Sequence, residues 1–275
     1  MDICACASAE KLSQRPSVTL SMDDLVFDSL AVTPGELVLA RSRVNCAFNT
    51  SMEIGVGVTA ENLQTGERRK LCGAYFTFVA LGEDKKKCKI PKMASKTDAD
   101  LRRAAEARER RQLRFRRKEI ITETALLAQS RRGTGVAAAD SSRLDGKAQI
   151  EKEDEDDGED GDYEDDDDDD DDDYDLGTPG LGARMLEIVL PQHANHMGNT
   201  FGGQVMAWMD KAATVASWRH AQTQAGDASG QLPDSIRAVG IDDVFFLGPS
   251  TVGDRISIKA SVNRCFGSFM EVGIV

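Results

Sequence analysis

The chain repeats itself once, and that repeat restricts it to two related modules. Residues 22–36, MDDLVFDSLAVTPGE, match residues 241–254, IDDVFFLGPSTVGD, with one residue fewer in the second copy. Residues 43–56, RVNCAFNTSMEIGV, match residues 261–274, SVNRCFGSFMEVGI. Met1-Asp2 aligns with Met209-Asp210, each pair opening an alanine-rich, helix-forming stretch. A period a little over 200 residues is far too long for a stacked solenoid unit of roughly 20–50 residues. It describes two domains of one kind. Copy one opens inside a helix, without a counterpart of 185–208, and copy two closes inside a strand, without a counterpart of 58–80. Both modules are therefore expected to be incomplete parts of a longer tandem protein.

Within each copy the pattern is α+β. Residues 185–190, MLEIVL, read as a strand, and Gly202 to about Ala221 as a helix whose only charges before Arg219 are Asp210 and Lys211. A helix apolar on nearly all sides is expected to be buried. Its alanines, Ala207, Ala212, Ala213 and Ala216, would let a sheet come close. β-rich runs follow at 236–246, 255–265 and 268–275; copy one has its own at 17–27, 37–47, 51–60 and 70–80, with TPGE and GPSTVGD as turns. The expected architecture is an antiparallel sheet wrapped round a long central helix, formed twice, at 1–83 and 184–275. The linker, 84–183, is expected to be helical over about 97–128, with Thr97 and Asp98 able to cap it, and then disordered.

The net charge of −13 is local in origin. Residues 151–175 hold 20 acids and one lysine, so the rest of the chain is net basic. Such a tract reads as a self-repelling spacer. Residues 102–118 carry eight arginines and Lys118, but only Phe115 interrupts them as an aromatic. A solvated helix is expected there rather than a nucleic-acid surface. Six cysteines without a C-x-x-C, mostly in apolar stretches, suit reduced, buried thiols in a cytoplasmic protein, with a mitochondrial location left open. No apolar run approaches the roughly 20 residues that span a bilayer. His193 and His196 form H-x-x-H without a third ligand at metal spacing, so no metal site is expected.

The densest chemistry lies in HANHMGNTFGGQVMAWMD, residues 193–210. Gly202 and Gly203 fall where a loop becomes a helix. Glycine there lets a ligand approach the first-turn amides, which together with the helix dipole can stabilise an oxyanion. Asp210 lies eight residues after Gly202, on the face of Met206, Ala213 and Thr214. A carboxylate in an apolar helix is costly to bury unpaired, and it suits a general base. Asn195, seven residues before Gly202, can offer a donor and an acceptor to a carbonyl or a water.

This motif, with GPSTVGD and FMEVGI, resembles the hotdog-fold acyl-CoA thioesterases. The likeness is closest to the tandem animal enzymes that carry a C-terminal START lipid-binding domain, the brown-fat-inducible and cytosolic acetyl-CoA hydrolase types. It covers about 1–82, the arginine-rich helix near 101–118, and 184–275. The resemblance implies hydrolysis of fatty acyl-CoA or acetyl-CoA, without a cofactor, at composite sites between paired units, and assembly into homo-oligomers. Mapped onto this chain, Asn195 and the Gly202 and Gly203 amides come from copy two, and the acid, Asp2, from copy one. The position one turn beyond the acid, Cys6 in copy one and Thr214 in copy two, would help hold the water. Asp210 would belong to a second composite site. Whether Asp2 acts as base or transient nucleophile stays open, and so does a catalytically impaired chain that serves as an acyl-CoA-binding or interaction module.

Overall fold

The computed structural model describes residues 1–28, 32–94, 97–132, 182–228 and 235–275. The acidic tract lies outside these residues, and so, but for its edges, does the stretch expected to be disordered. The chain divides into two compact units. One comprises Met1–Arg110 and Asp175–Val275, the other Arg111–Tyr174.

The first unit opens with α1 (Asp2–Ser13), then strands β1 (Ser17–Phe27), β2 (Glu36–Ala47), β3 (Ser51–Asn62) and β4 (Arg68–Ala80). After α2 (Asp98–Arg132), whose residues to Arg110 belong here, come β5 (Ala183–Ile188), α3 (Gly202–Ala228), β6 (Gly240–Phe245), β7 (Arg255–Phe266) and β8 (Phe269–Ile274). All pairings are antiparallel. This is the α+β hotdog architecture that the repeat and the resemblance imply.

Each helix meets its sheet through small residues. Ala5 and Ala9 of α1, four apart and so on one face, have no exposed surface. They pack with Met52, Ile54, Phe76 and Phe78 from β3 and β4. On α3 the buried face is Trp208, Ala212 and Ala216, set against Ile258 and Ala260 of β7 and Ala183 of β5. A leucine at any of these alanines would hold the sheet off the helix.

The two hairpins show why the repeat preserves Asn, Glu and Gly at matching places. In β2–β3 the register slips between Val44 and Cys46; in β7–β8 it slips between Val262 and Arg264. The residues at the slips are Asn45 and Asn263. Their side-chain amides donate to Glu53 Oε1 at 3.0 Å and to Glu271 Oε1 at 3.3 Å. A Cβ on Gly55 or on Gly273 would come within 2.9 Å of the same amide nitrogens. Part of the likeness between the copies is thus a bulge held by a side chain, and it is structural.

One strand departs from the modular reading. β6 belongs to copy two by sequence, yet it adds to the sheet of copy one, giving the order β2-β3-β4-β1-β6; copy two keeps the three-stranded order β5-β7-β8. Its partner is the repeat-related β1. Met22 faces Val244 and Leu25 faces Ile241, and the alignment exchanges these two pairs. Two copies of one segment meet about a local two-fold axis, so a strand edge that either would expose is covered.

α2 begins with Thr97 as its cap. Its hydroxyl accepts from Asp100 N–H at 3.2 Å, while the Asp100 carboxylate accepts from Thr97 N–H at 3.1 Å. This is the reciprocal capping box. Ala104 and Ala107 then pack on Cys46 and Phe48. In the second unit α2 continues, with Arg111 over the Phe115 ring at 4.9 Å.

Candidate active site

Asp2 is the first residue of α1 and is buried. Its Oδ2 accepts a hydrogen bond from the Gly203 N–H at 3.1 Å, across 201 residues of chain. Its Oδ1 accepts from the Thr19 hydroxyl of β1 at 2.8 Å. A carboxylate from copy one therefore sits on the first turn of the helix of copy two, where the dipole favours negative charge.

The glycine pair makes this approach feasible. A Cβ on Gly202 would lie 3.1 Å from Cζ of Phe246 and 3.4 Å from Asp2 Oδ2; one on Gly203 would lie 3.4 Å from Asp2 Cβ. Gly202→Ala is expected to lower stability by about 1–3 kcal/mol, as overpacking does. Phe246→Leu, which removes the crowded ring edge, should recover part of that loss. Urea unfolding of the single and double variants measures the coupling.

Asn195 is committed to its own loop more than the sequence suggests. Its Oδ1 accepts from the N–H groups of Met197 at 2.9 Å and Asn199 at 3.1 Å. Two N–H donors on one atom identify it as the oxygen. The expectation of both a donor and an acceptor is corrected, since only the side-chain NH2 remains to donate. The loop returns to the helix through Phe201 N–H, bonded to His193 O at 2.9 Å. It is tied to α1 by His196, whose Nε2 is 3.0 Å from Glu10 Oε1. His193 accepts from Leu190 N–H and lies edge-on to Trp208. Both histidines thus have structural partners.

The other expected site residues lie as follows. Cys6, on α1, donates to Ser17 O at 3.7 Å. Burial, then the negative charges of Glu10 and Asp2, push its thiol up to about 12. It is a neutral donor, and alkylation at pH 8 should leave it intact until the chain unfolds, as peptide mapping would show. A group that holds its proton more tightly when folded stabilises below its ordinary value and loses that contribution above it. Urea midpoints should accordingly fall between about pH 9.0 and 12, and less steeply in Cys6→Ala.

Asp210 is exposed, against the expectation of a buried helix acid. The three strands of its sheet cover only the Trp208–Ala212–Ala216 face. Asp210 is two residues from Trp208, about 200° round the helix, and so lies on the open side. Ala207, expected to face the sheet, is exposed for the same reason. The Thr214 hydroxyl donates to the Asp210 backbone oxygen at 2.9 Å, an ordinary intrahelical bond. The structure thus brings together Asp2, Gly202 and Gly203, with the Asn195 loop adjoining, and leaves Asp210 and Thr214 outside that cluster.

Thr19 and Phe246 were not legible beforehand. Thr19 aligns with Ala238 in the other copy, so the repeat gives no sign of it. Phe246 falls in the β-rich run 236–246, and nothing in that run singles it out.

Comparison with known proteins bears on this geometry. Residues 197–275 match the thioesterase superfamily. The matched region begins within the Asn195 loop and includes the glycine turn. The mouse acetyl-coenzyme A thioesterase is 33% identical over 274 residues, covering 100% of this chain and 41% of the relative. Mouse acyl-coenzyme A thioesterase 11 is 34% identical over 274 residues, covering 100% of this chain and 38% of the relative. The chain thus spans about two fifths of the length of the curated relatives it matches. Among solved structures, an acyl-CoA hydrolase from Bacillus cereus is 33% identical, covering 46% of this chain and 77% of that one, with a TM-score of 0.42.

Proposed function

We propose that the protein hydrolyses acyl-CoA thioesters to free acid and CoA at the composite site between its two copies. The observation that carries this reading is the hydrogen bond from Gly203 N–H to Asp2 Oδ2, which joins an acid from one copy to an amide turn from the other. The thioester carbonyl points at the donors of this turn that remain without an acceptor among the described residues, the Gly202 N–H and the Asn195 NH2. Amides already aimed at the site stabilise the tetrahedral oxyanion without reorganising. Asp2, held by Thr19 and Gly203, activates the attacking water. The departing CoA thiolate needs little help from an acid, because a thiol is a far better leaving group than an alcohol.

The mouse relatives named as thioesterases and the superfamily match support this reading. The repeat supports placing the chain with the tandem animal subtype. A cytoplasmic location and self-assembly belong to the same proposal. Val215 of α3 is an exposed apolar residue and offers surface for such assembly, which light scattering measures. The decisive experiment follows free thiol appearing with time when the chain meets acyl-CoA substrates of several chain lengths. Time-dependent release that scales with protein supports hydrolysis. Binding by calorimetry without release would leave the acyl-CoA-binding module as the function.

A further inference from the structure

On the opposite part of α3 from the glycine turn, His220 meets a cysteine of β7. The Cys265 sulfur is 3.2 Å from His220 Nε2. That is a thiol and a base within hydrogen-bond reach of one another, the arrangement that activates a sulfur nucleophile. Among the six cysteines Cys265 alone is exposed; the others are buried or half-buried. His220 is seventeen residues beyond Gly203, roughly 26 Å along the helix at its rise per residue. The pair is thus distinct from the composite site.

The internal repeat provides an independent comparison. By the two alignments above, His220 corresponds to Leu12 and Cys265 to Ala47. Leu12 and Ala47 are both partly buried and pack on the core of copy one. The fold therefore accepts an ordinary apolar contact at this place. In copy two both positions differ together, one to a thiol and the other to the imidazole that faces it. Core packing requires neither group.

We propose that Cys265 and His220 form a thiol–imidazole pair that exchanges with low-molecular-weight disulfides, so that Cys265 is a site of reversible thiolation. His220 Nε2 takes the Cys265 proton as the sulfur attacks one sulfur of the disulfide RS–SR. The Cys265–S–SR bond forms while the RS–SR bond breaks, and the departing thiolate takes the proton from the imidazolium. Cys265 is oxidised to a mixed disulfide, one half of the small disulfide is reduced to a thiol, and His220 returns neutral. An ordinary cysteine is only a few per cent thiolate near neutral pH. Removal of its proton by a neighbour can therefore raise the rate by roughly thirtyfold at most.

The test exposes the full chain to glutathione disulfide at neutral pH and follows each cysteine peptide by mass spectrometry. Cys265 is expected to be modified first and to be restored by dithiothreitol. His220→Ala should slow it about tenfold, within the range that proton removal allows, and added free imidazole should recover part of the rate. Iodoacetamide should follow the same order of rates. Equal rates with and without His220 would mean that exposure alone governs the thiol, and would overturn the proposal. A Cys265 slower than the half-buried cysteines would do so as well. Should His220→Ala lose its fold by circular dichroism, His220→Gln takes its place. It keeps a polar partner for the sulfur but lacks the basic nitrogen, and the same fall in rate is expected.

Discussion

Asp2→Asn is expected to reduce thioester hydrolysis by about two to four orders of magnitude, the usual contribution of a positioned acid–base group, while acyl-CoA binding stays within a few-fold. The fold should survive the change. Asparagine can turn its oxygen to the Gly203 N–H, where Asp2 Oδ2 now accepts at 3.1 Å. Its NH2 then faces the Thr19 hydroxyl, which is a donor to Asp2 Oδ1 at 2.8 Å but can rotate to accept instead. What the variant lacks is basicity. Thr19→Val separates position from chemistry, because it keeps the carboxylate and removes one of its two holders. It should lower kcat less than Asp2→Asn and leave KM nearly unchanged. Single turnover in 18O-labelled water then tests for a nucleophilic Asp2: label in its carboxylate means that water opened an acyl–Asp2 anhydride at the Asp2 carbonyl. Unchanged thiol release by Asp2→Asn would remove Asp2 from the reaction.

The largest expected effect on stability is at Arg110. Its guanidinium donates to Glu53 from two nitrogens, Nη2 to Oε1 at 2.7 Å and Nε to Oε2 at 3.2 Å. It also stacks over the Tyr75 ring, 3.6 Å from the centroid. Burial opposes its charge, but hydrogen bonding and attraction to Glu53 outweigh that and hold its pKa above the ordinary arginine value. Glu53 is 1% exposed. Arg110→Ala would leave that carboxylate buried with Asn45 as its remaining side-chain partner among the described residues, and breaking a buried pair costs about 3–5 kcal/mol. A urea midpoint within error of the parent would refute this account. Replacing both charges, as Arg110→Met with Glu53→Gln, should recover much of the loss, because the cost lies in the orphaned charge and not in the missing bond. In copy two the matching Glu271 is exposed, so Glu271→Ala should alter stability far less. The paired experiment shows that burial, and not the repeated residue itself, sets the energy.

Much of this molecule was legible in its residues. Strands expected at 17–27, 51–60 and 255–265 are found at Ser17–Phe27, Ser51–Asn62 and Arg255–Phe266. The helix expected from Gly202 begins at that residue. These features are local. Alternation of side chains along a strand, alanine spacing along a helix and glycine at a turn depend on neighbours within a few residues. Asp2 and the glycine turn could be paired because the repeat and the family resemblance together assign one to each copy.

Tertiary structure alone decided the rest. Nothing in Gly240–Phe245 says that it will pair with β1 of the other copy, because strand pairing depends on which edge is left open once the chain has folded. Asp210 has the same helical setting in sequence as a buried acid would. Its exposure follows from how few strands cover that helix, a property of the assembled sheet. Asn195 has a side chain able to donate and accept, yet the loop around it uses the oxygen. Short-range patterns settle which elements form, since their causes lie in adjacent residues. Which groups finally meet is settled by contacts between distant segments, as Asp2 with Gly203 shows, and those contacts exist only in the folded chain.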